Sequence, residues 1–144
     1  MKTIKQVLDS KGRDVVSVGP DASVYEAVKL MAGRSVGALL VMEDDRLVGL
    51  LGERECAWRV ALEDLSPRET RVKDIMMKNI LCLEPAQTVE EGMALMTDKR
   101  IRHLPVVIGD RVEGIISIGD LVKAIIEDQQ FVIEQLEHYV QGGR

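Results

Sequence analysis

Apolar residues along this chain change their spacing at regular intervals, and those changes predict its elements. A short continuous apolar run at 15–18 closes at a turn carrying Pro20, the pattern of a buried strand. Val24, Ala27, Val28 and Met31 then recur at i, i+3, i+4 and i+7, which predicts a helix with one buried face. Ser23 and Glu26 have the spacing of a capping box at its start. Two apolar runs, 38–42 and 47–51, are divided by a polar turn at 43–46 and read as a β-hairpin. A second helix is predicted over 53–63.

The same succession returns 65 residues later without a gap. A run at 80–83 ends at Pro85, Thr88 and Glu91 repeat the capping spacing, and Val89, Gly92, Met93 and Met96 repeat the helical stripe. Runs at 104–108 and 112–117 flank a turn at Gly109-Asp110, and a helix is expected over 119–128. Ten positions are identical at this offset, among them Pro20/Pro85, Met31/Met96, Leu39/Leu104 and Gly49/Gly114. Such matches on turn and core residues mean that one supersecondary unit has been duplicated. A small element precedes each copy, Thr3 to Leu8 and Arg71 to Met76, at an offset of 68. After the second copy Val132, Leu136 and Val140 continue at helical spacing, with Phe131 and Tyr139 nearby. This extension reads as a cap on the core or a subunit contact. Fused to the preceding helix it would make a rod on the order of 30 Å long.

These elements place the chain in the α/β class, of the α+β kind. The expectation is two β-α-β-β-α repeats packed with pseudo-two-fold symmetry around one shared core, plus a C-terminal helix. The first repeat with its N-terminal helix is assigned to 1–66, the second to 67–126, and the helical extension to 127–144. A half of about 60 residues buries only roughly 60% of its unfolded surface, which is why a common core is expected.

Composition narrows the function. With 46% hydrophobic and 30% charged residues and a formal net charge of −5, the chain is a globular type without the basic surface that nucleic-acid backbone binding requires. Cys56 and Cys82 form no motif and fit an intracellular protein with reduced thiols. The first residues lack the apolar run of a signal peptide, and no stretch reaches membrane-spanning length, so the cytoplasm is the expected compartment. Cys56, Cys82, His103 and His138 lack a metal spacing, and neither a nucleophile motif nor a glycine-rich phosphate loop is present. A non-catalytic protein that requires no metal is expected.

Two segments carry candidate chemistry. In Gly114-Ile-Ile-Ser117-Ile-Gly-Asp120 a strand ends, a hydroxyl and a glycine follow, and a carboxylate stands in the first turn of a helix. A helix N-terminus suits a phosphate, and the carboxylate suits the two hydroxyls of a ribose. Ordinary capping of Ser117 against Asp120 fits the same residues. The second segment, Lys99-Arg-Ile101-Arg102-His103-Leu-Pro105, is a basic cluster entering a strand. The first copy has Arg34-Ser-Val-Gly-Ala-Leu-Leu40 at that register, so the cluster is not needed for the fold. A solvated charged edge is the alternative for it, and a satisfied buried histidine the alternative for His103.

Together the duplication, the RIRHLPV segment and the GIISIGDLVKAI segment closely resemble a tandem pair of cystathionine β-synthase-type (CBS) domains, a Bateman module, over about residues 1–126. The extension resembles the tail of small stand-alone bacterial members. The resemblance implies a regulatory sensor, for energy or redox state, that binds an adenosine ligand in clefts between the repeats: AMP, ADP, ATP, NAD(H) or S-adenosylmethionine. It implies that Asp120 holds the ribose, that Ser117 lies near the phosphate, that Ile80, Ile101 and Pro105 flank the adenine, and that Arg102 and His103 face the phosphate. In the first copy the equivalent stretch is Gly49-Leu-Leu-Gly52-Glu-Arg54-Glu55, without the hydroxyl, so the two sites are expected to be unequal, with Glu55 reaching for a ribose and Arg54 supplying charge. The resemblance further implies a homodimer and an unknown regulated protein partner. The competing expectation is a ligand-independent dimeric adaptor whose nucleotide sites have degenerated.

Overall fold

The structure, a computed structural model, describes residues 2–142; Met1, Gly143 and Arg144, the ends of the first repeat and of the extension as read from sequence, lie outside the described residues. The first copy runs β1 (Ser17–Val18), α2 (Val24–Arg34), β2 (Ala38–Glu43), β3 (Arg46–Gly52) and α3 (Glu53–Leu62), preceded by α1 (Ile4–Lys11). The second follows α4 (Val72–Ile75) and runs α5 (Val89–Lys99), β4 (His103–Ile108), β5 (Arg111–Ser117) and α6 (Ile118–Gln141). The mixed α+β class, the doubled unit and the C-terminal helix are all present.

Each copy repeats the local physics of the other. Ser23 Oγ accepts the Glu26 N–H at 3.0 Å and Thr88 Oγ1 the Glu91 N–H at 3.1 Å, which satisfies one orphan donor at the start of α2 and of α5. Only this half of each expected capping box forms, and in the second copy the Glu91 carboxylate accepts instead from Gln87. Both helices end on a left-handed residue at the same register, Ser35 (φ 53°) and Arg100 (φ 56°). Arg100 therefore serves the fold where the first copy uses serine. In the first hairpin Asp44 and Asp45 both take positive φ, the twist that a tight two-residue connection needs.

The copies differ where a donor is missing. In the first, β1 pairs in parallel with β2, and the Leu40 N–H reaches the Val16 carbonyl at 3.2 Å. Pro105 stands at Leu40's register and has no N–H. The strand expected at 80–83 contracts accordingly to one bridge, Leu83 to Val106, held by the Leu83 N–H on Pro105 O and the Val107 N–H on Leu83 O. The first sheet has three strands and the second two.

In space the chain forms two compact units that are not contiguous in sequence. One comprises Met1–Arg13, Cys82–Ile108 and Glu113–Arg144; the other comprises Asp14–Leu81 and Gly109–Val112. The N-terminal helix assigned from sequence to the first repeat thus packs with the second copy. Backbone bonds explain the exchange: the Ile4 and Lys5 N–H groups donate to Gln87 and Pro85 carbonyls, as Val72 and Lys73 donate to Ala22 and Pro20. Buried side chains likewise form two clusters where one shared core was expected. Ile4, Val7 and Leu8 complete the cluster around Leu83, Val89, Leu104 and Ile116, while Val72 and Ile75 complete the cluster around Val24, Leu39 and Leu51. A copy of this size is too small to close a core alone, and the short helix supplies the missing side.

Two glycines identical in the repeat are explained by this packing. A Cβ on Gly114 would stand 2.7 Å from Leu8 Cδ2, and one on Gly49 would stand 2.9 Å from Met76 Cγ. The bare strand backbone lets the short helix seat its side chain on the sheet.

Candidate functional site

The N-terminus of α6 gathers the principal candidates. β5 ends at Ser117, whose extended backbone caps the helix, and the Ile118 N–H donates to the Arg102 carbonyl at 2.8 Å. The same bond recurs in the first copy from the Glu53 N–H to Gly37 O at 3.1 Å, so joining hairpin entry to helix start belongs to the fold. At α6 a complete capping box forms. Ser117 Oγ accepts the Asp120 N–H at 3.1 Å, and Asp120 Oδ2 accepts the Ser117 N–H at 2.8 Å. The capping alternative is therefore realised. It leaves the Ser117 O–H proton to donate elsewhere, and the Asp120 contacts fall on one of two carboxylate oxygens.

Lys11, a residue that sequence reasoning missed, completes the arrangement. Its Nζ lies 2.5 Å from Asp120 Oδ2 and 2.8 Å from the Ile115 carbonyl. In the first copy the carbonyl at the equivalent register, Leu50 O, is met by the Met77 N–H at 2.8 Å, because α4 stops after one turn and the chain runs on as an edge. α1 continues to Lys11, so a lysine side chain does that work and brings a positive charge to Asp120. No motif signals this, since Lys11 and Asp120 are far apart in sequence. Burial pushes the Asp120 carboxyl up, but the Lys11 ammonium and the Ser117 N–H outweigh it and hold the group below the ordinary carboxylate range. Asp120 opens onto a hollow of about 250 Å³ between α1 and α6, also lined by Lys2, Ser10, Lys123 and Glu127.

The other candidates are placed as follows. Arg102 is exposed, and His103 is half-buried at the start of β4. Pro105 is buried in β4, and Ile101 packs against the cluster of this unit. Ile80 is half-buried in the other unit, outside any strand. Arg54 and Glu55 sit in the first turn of α3, where Glu55 Oε1 accepts the Gly52 N–H at 2.8 Å and the Arg54 guanidinium lies 5.3 Å from the centre of the Trp58 ring. Ser117, Asp120 and the Arg102 backbone thus converge in one unit, while Arg54 and Glu55 form a separate group in the other. Among the described residues no cluster of three His, Cys, Asp or Glu side chains could hold a metal ion, and no helix is long and apolar enough to cross a membrane.

Comparison with known proteins places this arrangement. The chain is 36% identical over 150 residues to the CBS domain-containing protein CBSX3, mitochondrial, of Arabidopsis thaliana, covering 98% of this chain and 73% of that protein. It is 33% identical over 125 residues to the inosine-5'-monophosphate dehydrogenase of Methanocaldococcus jannaschii, but spans only 24% of that enzyme's length. Among solved structures, a putative signal-transduction protein with CBS domains from Burkholderia ambifaria superposes with a TM-score of 0.85 at 45% identity, over 89% of this chain and 96% of that one. The model of the CBS domain matches twice, at residues 4–61 and 72–127. Carrying two copies of that unit, the chain belongs to the CBS-domain family, whose paired domains are in general ligand-binding regulatory modules.

Proposed function

We propose that this protein is a non-catalytic regulatory module that binds an adenosine nucleotide and reports energy or redox state through changed contacts with a partner. The observation that carries the reading is the carboxylate of Asp120, in the first turn of α6 beside the Ser117 hydroxyl, facing a hollow that also holds lysines. The helix end favours a phosphate, and an ionised acid accepts both hydroxyls of a ribose. Ser117, Arg102 and His103 serve the phosphate, and Ile101 and Pro105 the adenine. AMP, ADP, ATP, NAD(H) and S-adenosylmethionine are the candidate ligands. The α3 group of Arg54 and Glu55, lacking a hydroxyl at Gly52, is the weaker site. The protein works in the cytoplasm as a homodimer, and a ligand shifts its conformations only by binding them unequally.

Calorimetric titration and thermal unfolding with each nucleotide test this. A ligand at 100 times its Kd adds about 2.7 kcal/mol of stability. Asp120→Ala costs about 1.5–3 kcal/mol of binding if its charged hydrogen bonds to ribose are real. Asp120→Asn keeps an acceptor for the Ser117 N–H and separates that loss from loss of the cap. One observation favours the second reading, a ligand-independent adaptor: Asp120 and Glu55 both already accept their own helix-cap N–H. Absence of stabilisation by all five ligands establishes that reading and refutes the sensor.

A further inference from the structure

The hollow between α1 and α6 is lined by more cations than its carboxylates balance. It lies within one unit and runs along α6 from Asp120 to Glu127, on the order of 10 Å of helix. Lys2, Lys11 and Lys123 face two carboxylates there, Asp120 and Glu127, in a chain whose net charge is −5. Two of the lysines are held in place. Lys2 Nζ lies 2.9 Å from Glu127 Oε2 and 3.8 Å from Asp128 Oδ1, and its side chain is only 31% exposed. Lys11, 33% exposed, is fixed by Asp120 and the Ile115 carbonyl. Lys123 has no hydrogen bond or ion pair among the described residues and acts on Glu127 through space. The fold does not ask for this charge, as the repeat shows. At the registers of Lys2, Lys11 and Lys123 the first copy has Thr70, Asn79 and Trp58, although the Thr70 carbonyl accepts the Val24 N–H just as the Lys2 carbonyl accepts the Val89 N–H.

We infer that this hollow is a binding subsite for a phosphate-bearing anion of more than one charge. Each carboxylate of the lining already faces its own lysine, so the charge in excess is that of Lys123. Donors are in excess too. An ammonium has three; Lys11 spends two of them on Asp120 and Ile115, and Lys2 spends one on Glu127. Ser10 adds a hydroxyl from α1. Because Lys2 and Lys11 are anchored before any anion arrives, little side-chain freedom is lost when one does. A chain of linked phosphates, unlike a single small anion, spans ammonium groups spread along the hollow. This subsite is separate from the placing of a nucleotide's first phosphate at Ser117, Arg102 and His103. Two sources fit its chemistry: the terminal phosphates of a nucleotide whose ribose sits at Asp120, and a free polyphosphate. The inference does not depend on nucleotide binding.

Calorimetric titration of the full chain with inorganic triphosphate tests it, with sulfate at equal ionic strength as the control. Triphosphate is expected to bind and to raise the melting temperature, and sulfate to do neither. Lys123→Glu should weaken triphosphate binding at least about tenfold, the weight of a lost charged hydrogen bond. Glu127→Gln should strengthen it, because a competing carboxylate is gone and Lys2 is released. Both positions are exposed, and the thermal transition without anion checks that each variant folds. Titration of ATP and AMP separates the sources. If Lys123→Glu weakens ATP but not AMP, the subsite takes the nucleotide's terminal phosphates; if it weakens triphosphate alone, the subsite takes a free polyphosphate. Triphosphate binding without any response to nucleotides refutes the sensor and leaves the subsite standing. No triphosphate binding, binding that sulfate matches, or binding that Lys123→Glu leaves unchanged overturns the inference.

Discussion

At the scale of single residues, charge and burial decide behaviour. Lys11→Met removes the ammonium between Ile115 and Asp120, both partly exposed. We expect a loss of about 0.5–1.5 kcal/mol on chemical denaturation and a rise of the Asp120 carboxyl toward its ordinary range, read by NMR titration. Burial, with Glu55 and Glu53 beside it, pushes the Cys56 thiol up to about 11, and burial also raises Cys82. At pH 8 about one part in a thousand of Cys56 is thiolate, so alkylation by iodoacetamide, followed by mass spectrometry, should be far slower at Cys56 than at a free thiol. Most of these residues are legible in sequence as candidates. Asp120 and Ser117 stand out by spacing, but their partner Lys11 does not, because the contact spans the fold and depends on where α1 ends.

At the scale of elements, the short helices matter more than their length suggests. Leu8 of α1 lies over Gly114 of β5, where an added methyl group has no room. Gly114→Ala should cost about 1–3 kcal/mol, the usual range for overpacking. Leu8→Ala alone should cost about 2–5 kcal/mol through the cavity it leaves. Because the two sites touch, their effects should not add: the double variant should be less damaged than the sum, measured as a double-mutant cycle. Cap residues and apolar periodicity placed the starts of α2 and α5, and the apolar runs placed both hairpins within a residue. The apolar pattern overextended the strand at 80–83, since a buried apolar run says nothing of whether its neighbour, Pro105, can donate a hydrogen bond.

At the scale of the whole molecule, several carboxylates are held below their ordinary range by cations: Asp120 by Lys11 against its burial, Asp9 by Arg13 and Lys5, and Glu127 by Lys2. A carboxyl lowered in the folded state stabilises the fold above its unfolded value, and that contribution disappears as pH falls through the lowered folded value. Denaturant midpoints should therefore be level near neutrality and drop from about pH 4 downward. Asp120→Asn should flatten part of that drop. A curve unchanged by the substitution would remove Asp120 from the account.

What the chain's residues determine alone is the repeated unit. The alternation of apolar runs, the cap residues and the recurrent glycines are local signals, and each copy reads them the same way because helix, turn and strand form from neighbours in sequence. The tertiary structure alone decided which short helix completes which core, that Lys11 and not backbone covers Ile115, and that the distal half of α6 stays exposed. These depend on contacts between residues distant in sequence, where a hydrogen-bond donor or a methyl group settles the pairing, and no spacing along the chain records them.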